Sequence, residues 1–138
     1  MTCRIIVADD HPLFREAMVH TVQRVLPQAQ LEQAGDLQQV LALACVGEAP
    51  DTLILDLRFP GLDCIERLAE LRQQLRRTTL IIVSMVDDPT LIEQVMASGV
   101  DGFIGKSITP DELGAAILAI REGEVLVKYL PSGLLPSL

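Results

Sequence analysis

The stretch Arg4–Pro12, RIIVADDHP, runs four apolar residues, Ile5 to Ala8, straight into two adjacent carboxylates, Asp9 and Asp10. The apolar run reads as a deeply buried strand, because a strand covered on both faces shows continuous rather than alternating hydrophobicity. Two like charges side by side at its end need a physical reason. Neighbouring carboxylates repel, and each raises the cost of ionising the other unless a cation joins them.

Working outward, short aliphatic runs alternate five times with segments of helical period, the pattern of βα units around a parallel sheet. Strand-like runs cover Arg4–Ala8, a weaker Gln30–Ala34, Thr52–Leu55, Leu80–Ser84 and a short Gly102–Ile104. Apolar stripes mark the helices: Phe14, Met18, Val22, Val25; Leu37, Val40, Leu41, Ala44; Leu62, Ile65, Leu68, Leu71; Leu91, Val95, Met96; and Leu113, Ala116, Ile117, Ile120. Asp36 is a candidate N-cap, Pro12 suits a first helical turn, Asp88-Pro89 opens the fourth helix and Gly99 closes it. Thr109-Pro110-Asp111-Glu112 carries an N-cap, an N1 proline and a capping-box glutamate. The expected fold is a single α/β domain, a (βα)5 doubly wound parallel sheet, over residues 1–123. Residues 124–138, with Pro131 and Pro136 and no helical stripe, read as a linker or tail.

The 138 residues, 49% apolar, suffice for one domain core, and with 3% aromatics that core must be aliphatic. A formal net charge of −8 disfavours broad contact with nucleic-acid backbones or anionic membranes. No apolar run approaches the roughly 18 residues of a membrane span, and no signal peptide is visible, so a cytoplasmic location is expected. Cys3, Cys45 and Cys64 are widely spaced and read as buried thiols in a reducing compartment. No phosphate-binding glycine motif supports nucleotide binding.

In an open parallel α/β sheet the ligand site lies beyond the carboxyl ends of the strands. Asp9 and Asp10 follow the first strand, Asp56 ends the third, Ser84 ends the fourth and Lys106 follows the fifth. Singly, each has a plainer reading: a solvated turn or cap for the acid pair, a surface lysine, a strand-end hydroxyl satisfied by backbone. His11 reads as a helix-start residue rather than a ligand, and Pro60-Gly61 as the turn after the acceptor strand. If the first, third, fourth and fifth strands are neighbours, three acids, a hydroxyl and an ammonium converge on one pocket. A hard divalent ion, Mg²⁺, answers the repulsion, since it takes oxygen ligands from one or two carboxylates together with phosphate oxygens. An Asp beside such an ion can accept a phosphoryl group, with a lysine and a hydroxyl pairing its oxygens.

The set VADDHP, LILDLRFPGLD, IIVSM and GFIGKS resembles the receiver domain of two-component response regulators, over roughly Arg4 to Gly123. The DDHPLFREAM opening and Gly99–Phe103 are most similar to the NarL/LuxR-type subgroup. The resemblance implies a flavodoxin/CheY-like sheet of order 2-1-3-4-5. It implies Asp56 as phosphoacceptor, Asp10 as a direct Mg²⁺ ligand, Asp9 as a ligand through water, and the Arg58 backbone carbonyl as a third protein ligand. It further implies Ser84 and Lys106 as phosphoryl-binding residues and Phe103 as a moving switch residue, although Phe103 alone reads as plain core. The implied partners are a sensor histidine kinase, a second copy in a possible homodimer, and DNA only through a helix-turn-helix domain absent from this chain. Arg58 and Met85 depart from the common family pattern beside the phosphoryl group and are expected to tune its lifetime. Two rival readings stay open. One is a phosphate-independent dimerisation module of the same fold. The other is a Mg²⁺-dependent phosphohydrolase, against which counts Arg58 standing where such enzymes place a second acid.

Overall fold

The computed structural model describes residues 3–45, 47–58 and 65–129. Strands and helices alternate: β1 (Arg4–Ala8), α1 (Pro12–Val25), β2 (Gln30–Ala34), α2 (Leu37–Ala44), β3 (Thr52–Asp56), α3 (Ile65–Gln74), β4 (Thr79–Ser84), α4 (Pro89–Ala97), β5 (Gly102–Gly105), α5 (Pro110–Arg121) and β6 (Leu126–Lys128). The sheet is parallel in every pairing, in the order β2-β1-β3-β4-β5-β6.

Alternation along each strand splits the core in two. Ile6, Leu53, Leu55, Leu80, Ile82 and Phe103 face α2, α3 and α4, burying Val40, Leu68, Leu71, Ile92 and Val95. Ile5, Val7, Ile54, Ile81, Val83 and Ile104 face α1 and α5, burying Met18, Val22, Ala116, Ile117 and Ile120. Two helix layers on an aliphatic parallel sheet are what continuous apolar strands require. The connection from β1 to β2 and those among β3, β4 and β5 leave helices on opposite faces, because the chain reverses its direction of winding between β2 and β3. That reversal opens the crevice at the carboxyl ends of β1 and β3.

Local chemistry fixes the helix starts. The Asp36 side chain accepts from the Gln39 N–H at 2.8 Å, and the Asp88 side chain from the Thr90 N–H at 3.0 Å. Thr109 Oγ1 accepts from the Glu112 N–H at 3.2 Å, with Pro110 in the first turn. Gly99, just past α4, has φ of +104°, a left-handed conformation that glycine adopts without the Cβ penalty.

Two features depart from the sequence reading. β6 lies within 124–138, the segment read as a linker, and pairs with β5 through Gly102↔Leu126, Phe103↔Val127 and Ile104↔Lys128. Being three residues long with Val127 and Lys128 exposed, it leaves almost no apolar pattern to read. The expectation of buried thiols also fails for Cys45, which is exposed because it caps the surface end of α2, while Cys3 is half-buried. β2 forms over Gln30–Ala34 as expected, and its run QLEQA is polar because it is an edge strand, bonded to β1 alone. Leu62 of the third stripe, the Pro60-Gly61 turn and Cys64 lie outside the described residues. No helix among those described is long and apolar enough to cross a membrane.

Candidate functional site

Four strand ends deliver the site. Asp9 and Asp10 leave β1, Asp56 is the last residue of β3, Ser84 the last of β4, and Lys106 follows β5, its N–H donating to the Ser84 carbonyl at 2.8 Å. The register aligns Asp56 with Val83 and Ser84 with Gly105, so these ends lie level along one rim. Asp9, Asp56 and Ser84 are buried, at 3%, 4% and 1% exposure, which is costly for carboxylates unless they are paired.

Lys106 supplies that pairing. Its Nζ lies 2.9 Å from Asp9 Oδ2 and 3.4 Å from Asp56 Oδ2, and 4.3 Å above the centre of the Phe14 ring. The side chain is itself buried, so this ammonium is committed to the acids rather than to solvent. Asp9 is further fixed by the His11 N–H, which donates to its Oδ1 at 2.8 Å, while its backbone carbonyl accepts from Arg15 Nη1 at 2.8 Å. Asp56 Oδ1 accepts from the Arg58 N–H at 3.3 Å. Burial raises the Asp56 carboxyl above its ordinary value; the Lys106 charge opposes that, the Asp9 charge reinforces it, and the Arg58 N–H opposes it.

The expected residues therefore meet, with differences in detail. Lys106 lies closer to Asp9 than to Asp56. Ser84 Oγ accepts from the Val86 N–H at 3.0 Å, which ties it into the β4–α4 turn. Phe103 is fully buried on the α4 side of the sheet, its ring edge-on to Tyr129 with centroids 6.3 Å apart. Met85 is 72% exposed and Arg58 is exposed, and both line the mouth of a cleft of about 560 Å³ that also contains Asp56, Ser84 and Lys106. A larger hollow of about 800 Å³ lies between α3 and α4, bordered by Leu57, Leu68 and Leu91, and contains none of the clustered acids.

His11 is the residue whose place the sequence did not show. Its Nδ1 lies 3.1 Å from both Asp9 Oδ1 and Asp10 Oδ1, and 3.9 Å from Asp56 Oδ2. Helix-start spacing accounts for its backbone, and only the carboxylate two residues earlier hints that the ring turns back. Ligand atoms of Asp9, Asp10, His11 and Asp56 all lie within 4.8 Å of one another. Three carboxylates with hard oxygen donors, one of them already neutralised by Lys106, fit a small divalent cation such as Mg²⁺.

A family model described as the response regulator receiver domain matches residues 5–118. The chain belongs to that family. This receiver domain is 34% identical over 128 residues to the glycerol metabolism activator of Pseudomonas putida, covering 93% of this chain and 57% of that protein. It is 33% identical over 132 residues to a probable transcriptional regulatory protein NarL of Mycobacterium tuberculosis, covering 95% of this chain and 61% of that one. It thus spans about three fifths of the length of these curated relatives. Among solved structures, the signal receiver domain of M. tuberculosis NarL matches with a TM-score of 0.71 and 30% identity, over 89% of this chain and 98% of the other. A LuxR-family two-component response regulator from Aurantimonas sp. SI85-9A1 matches with a TM-score of 0.77 and 30% identity, over 91% of this chain and 89% of the other. The resemblance to NarL/LuxR-type receivers is borne out, and the strand order 2-1-3-4-5 holds with β6 added at the edge.

Proposed function

We propose that this receiver domain accepts a phosphoryl group on Asp56 from a phosphohistidine of a sensor histidine kinase, in a Mg²⁺-dependent reaction. One observation carries the reading: the buried Asp56 carboxylate ends β3 with Oδ2 3.4 Å from the buried Lys106 ammonium, inside the same acidic cluster as Asp9 and Asp10. An Asp56 oxygen attacks phosphorus, the phosphorus–nitrogen bond breaks, and its electron pair leaves with the donor imidazole, which takes up a proton. The Arg58 N–H holds Oδ1, directing Oδ2 toward Lys106 and the cleft. Asp9, Asp10, Asp56 and the Arg58 carbonyl would hold the ion, which when bound would supply charge neutralisation on the phosphoryl oxygens. Lys106 then pairs with one phosphoryl oxygen, and the Ser84 hydroxyl donates to another after turning from the Val86 amide.

Phosphorylation biases two packings of the face formed by α4, β5 and α5, with Ser84 and Phe103 as the moving parts. Arg58 and Met85 at the cleft mouth limit water access and so set the lifetime of the acyl phosphate. Hydrolysis is slow, and the domain is a switch rather than a turnover enzyme. It acts in the cytoplasm, pairs as a homodimer, and controls transcription through a helix-turn-helix DNA-binding domain lying outside these 138 residues.

Incubation with phosphoramidate or acetyl phosphate and Mg²⁺, followed by intact mass, tests this. The expected result is one added phosphoryl group that needs both Mg²⁺ and Asp56 and is absent in Asp56→Asn. Release of phosphate with no adduct would favour the hydrolase reading. Neither adduct nor phosphate would favour the phosphate-independent module.

A further inference from the structure

We propose that His11 is a nitrogen donor of the metal cup and shifts its preference from Mg²⁺ toward borderline transition ions such as Co²⁺, Ni²⁺ and Zn²⁺. This inference rests on the reading that Asp9, Asp10 and Asp56 hold a divalent cation, and adds a residue that sets which one.

The geometry of the ring is the starting point. His11 Nδ1 is 3.1 Å from Asp9 Oδ1, 3.1 Å from Asp10 Oδ1 and 3.9 Å from Asp56 Oδ2. Around an ion with bonds of about 2.1 Å, adjacent octahedral ligands stand about 3.0 Å apart and opposed ones about 4.2 Å. The two 3.1 Å separations are close to the spacing of adjacent ligands around one ion, the one to Asp9 Oδ1 being a hydrogen bond when no ion is bound, and the 3.9 Å separation lies between adjacent and opposed positions.

The Asp9 oxygens are divided between the two basic groups, whereas Asp56 Oδ2 faces both, 3.4 Å from Lys106 and 3.9 Å from His11. Lys106 takes Asp9 Oδ2 at 2.9 Å, while Asp9 Oδ1 faces His11. An ion seated on the His11 side keeps the Lys106–Asp9 pairing intact. Backbone restraint holds the ring there. His11 precedes Pro12, which confines it to extended backbone, and it has φ −98° and ψ 103° with its N–H bonded to Asp9 Oδ1. Its side chain makes no helix-capping bond, so helix α1 does not require the ring where it lies.

The chemistry then sets the direction of selectivity. Oxygen-only cups suit Mg²⁺, whereas an imidazole nitrogen suits the later transition ions, whose affinities for mixed nitrogen and oxygen sites rise along the series toward copper. With its proton on Nε2, the ring presents the Nδ1 lone pair to the ion. Because the side chain is 67% exposed, its removal leaves no core cavity, and His11→Ala should fold as the wild type does.

Calorimetric titration of the full chain with Mg²⁺ and, separately, Co²⁺ tests the inference in wild type, His11→Ala and Asp10→Asn. Histidine-ring proton NMR with Co²⁺ adds a direct signature, with His20 on the exposed face of α1 as the internal control. The expected result is that His11→Ala loses at least about tenfold in Co²⁺ affinity while Mg²⁺ affinity stays within about twofold. Co²⁺ should shift the His11 ring signals far more than those of His20. Equal losses for both ions, or gains for both as when the ring merely competes for the acids, would overturn the assignment. If neither ion binds the wild type, or Asp10→Asn weakens neither, the metal cup itself fails and this inference with it.

Discussion

Replacing Lys106 by Met keeps much of the side-chain volume and deletes the one ammonium that faces both buried acids. In the folded protein this leaves Asp9 and Asp56, each about 4% exposed, without the charge that lies 2.9 Å and 3.4 Å away. At those separations each attraction is several kcal/mol even at an effective dielectric near ~20, and desolvation of the three groups offsets much of it. Removing one partner of such a pair costs about 3–5 kcal/mol, because the remaining charges stay buried without compensation. For a chain of this size that corresponds to a fall in Tm of about 10–20 °C, measured by circular dichroism at neutral pH in EDTA. Asp56→Asn introduced into Lys106→Met should recover part of the loss, since it removes one of the two stranded carboxylates. Millimolar Mg²⁺ should also recover part of it by supplying another cation. A fall of less than about 3 °C, or a double variant no more stable than Lys106→Met alone, would refute the claim that Lys106 neutralises this pair.

Three further outcomes follow from the same geometry. Gly102→Ala should destabilise the fold by about 1–3 kcal/mol in urea denaturation, because a Cβ there would meet Ile120 Cδ1 at 2.3 Å and the Leu126 carbonyl oxygen at 3.3 Å; the midpoint should rise again when Ile120 is cut back to Val. The Asp56 carboxyl is raised above its ordinary 3.8 by burial, so the native state holds its proton to higher pH than the unfolded chain. Its contribution to stability is present below 3.8 and is lost as pH rises through the raised value, so metal-free Asp56→Asn should be more stable than wild type at neutral pH and lack that component of the pH profile in thermal melts. An Arg58→Asn, Met85→Ala double variant should change the rate of acyl-phosphate hydrolysis, followed by intact mass over time, and an unchanged rate would remove these two side chains from control of water access.

Much of the fold was legible because its determinants are local. Leu53-Ile54-Leu55 and Leu80–Val83 are continuous apolar runs because both faces of β3 and β4 are covered, and Asp36, Asp88 and Thr109 bond the first turns of the helices they cap. The acid, hydroxyl and lysine set was legible for a topological reason, since every member stands at a strand's carboxyl end. What escaped was set by tertiary contact. β6 is recruited by the open edge of β5 and not by a pattern of its own, and Tyr129 is placed against Phe103 only once that strand has paired. Arg4, which looks misplaced at the start of a buried strand, bonds Glu32 and the carbonyls of Leu43 and Glu48, partners some 28 to 44 residues away. The His11 ring turns back on the acids because its own N–H is tied to Asp9, a contact that helical spacing does not encode.

On the proposed function the phosphoryl group resides on Asp56 as an acyl phosphate. Borohydride reduction of the phosphorylated protein converts such an aspartate to homoserine, which peptide mass then locates. Homoserine is expected at position 56 alone, in a Mg²⁺-dependent amount; homoserine at Asp9 or Asp10, or a phosphoryl group that resists borohydride, would place the phosphoryl group elsewhere.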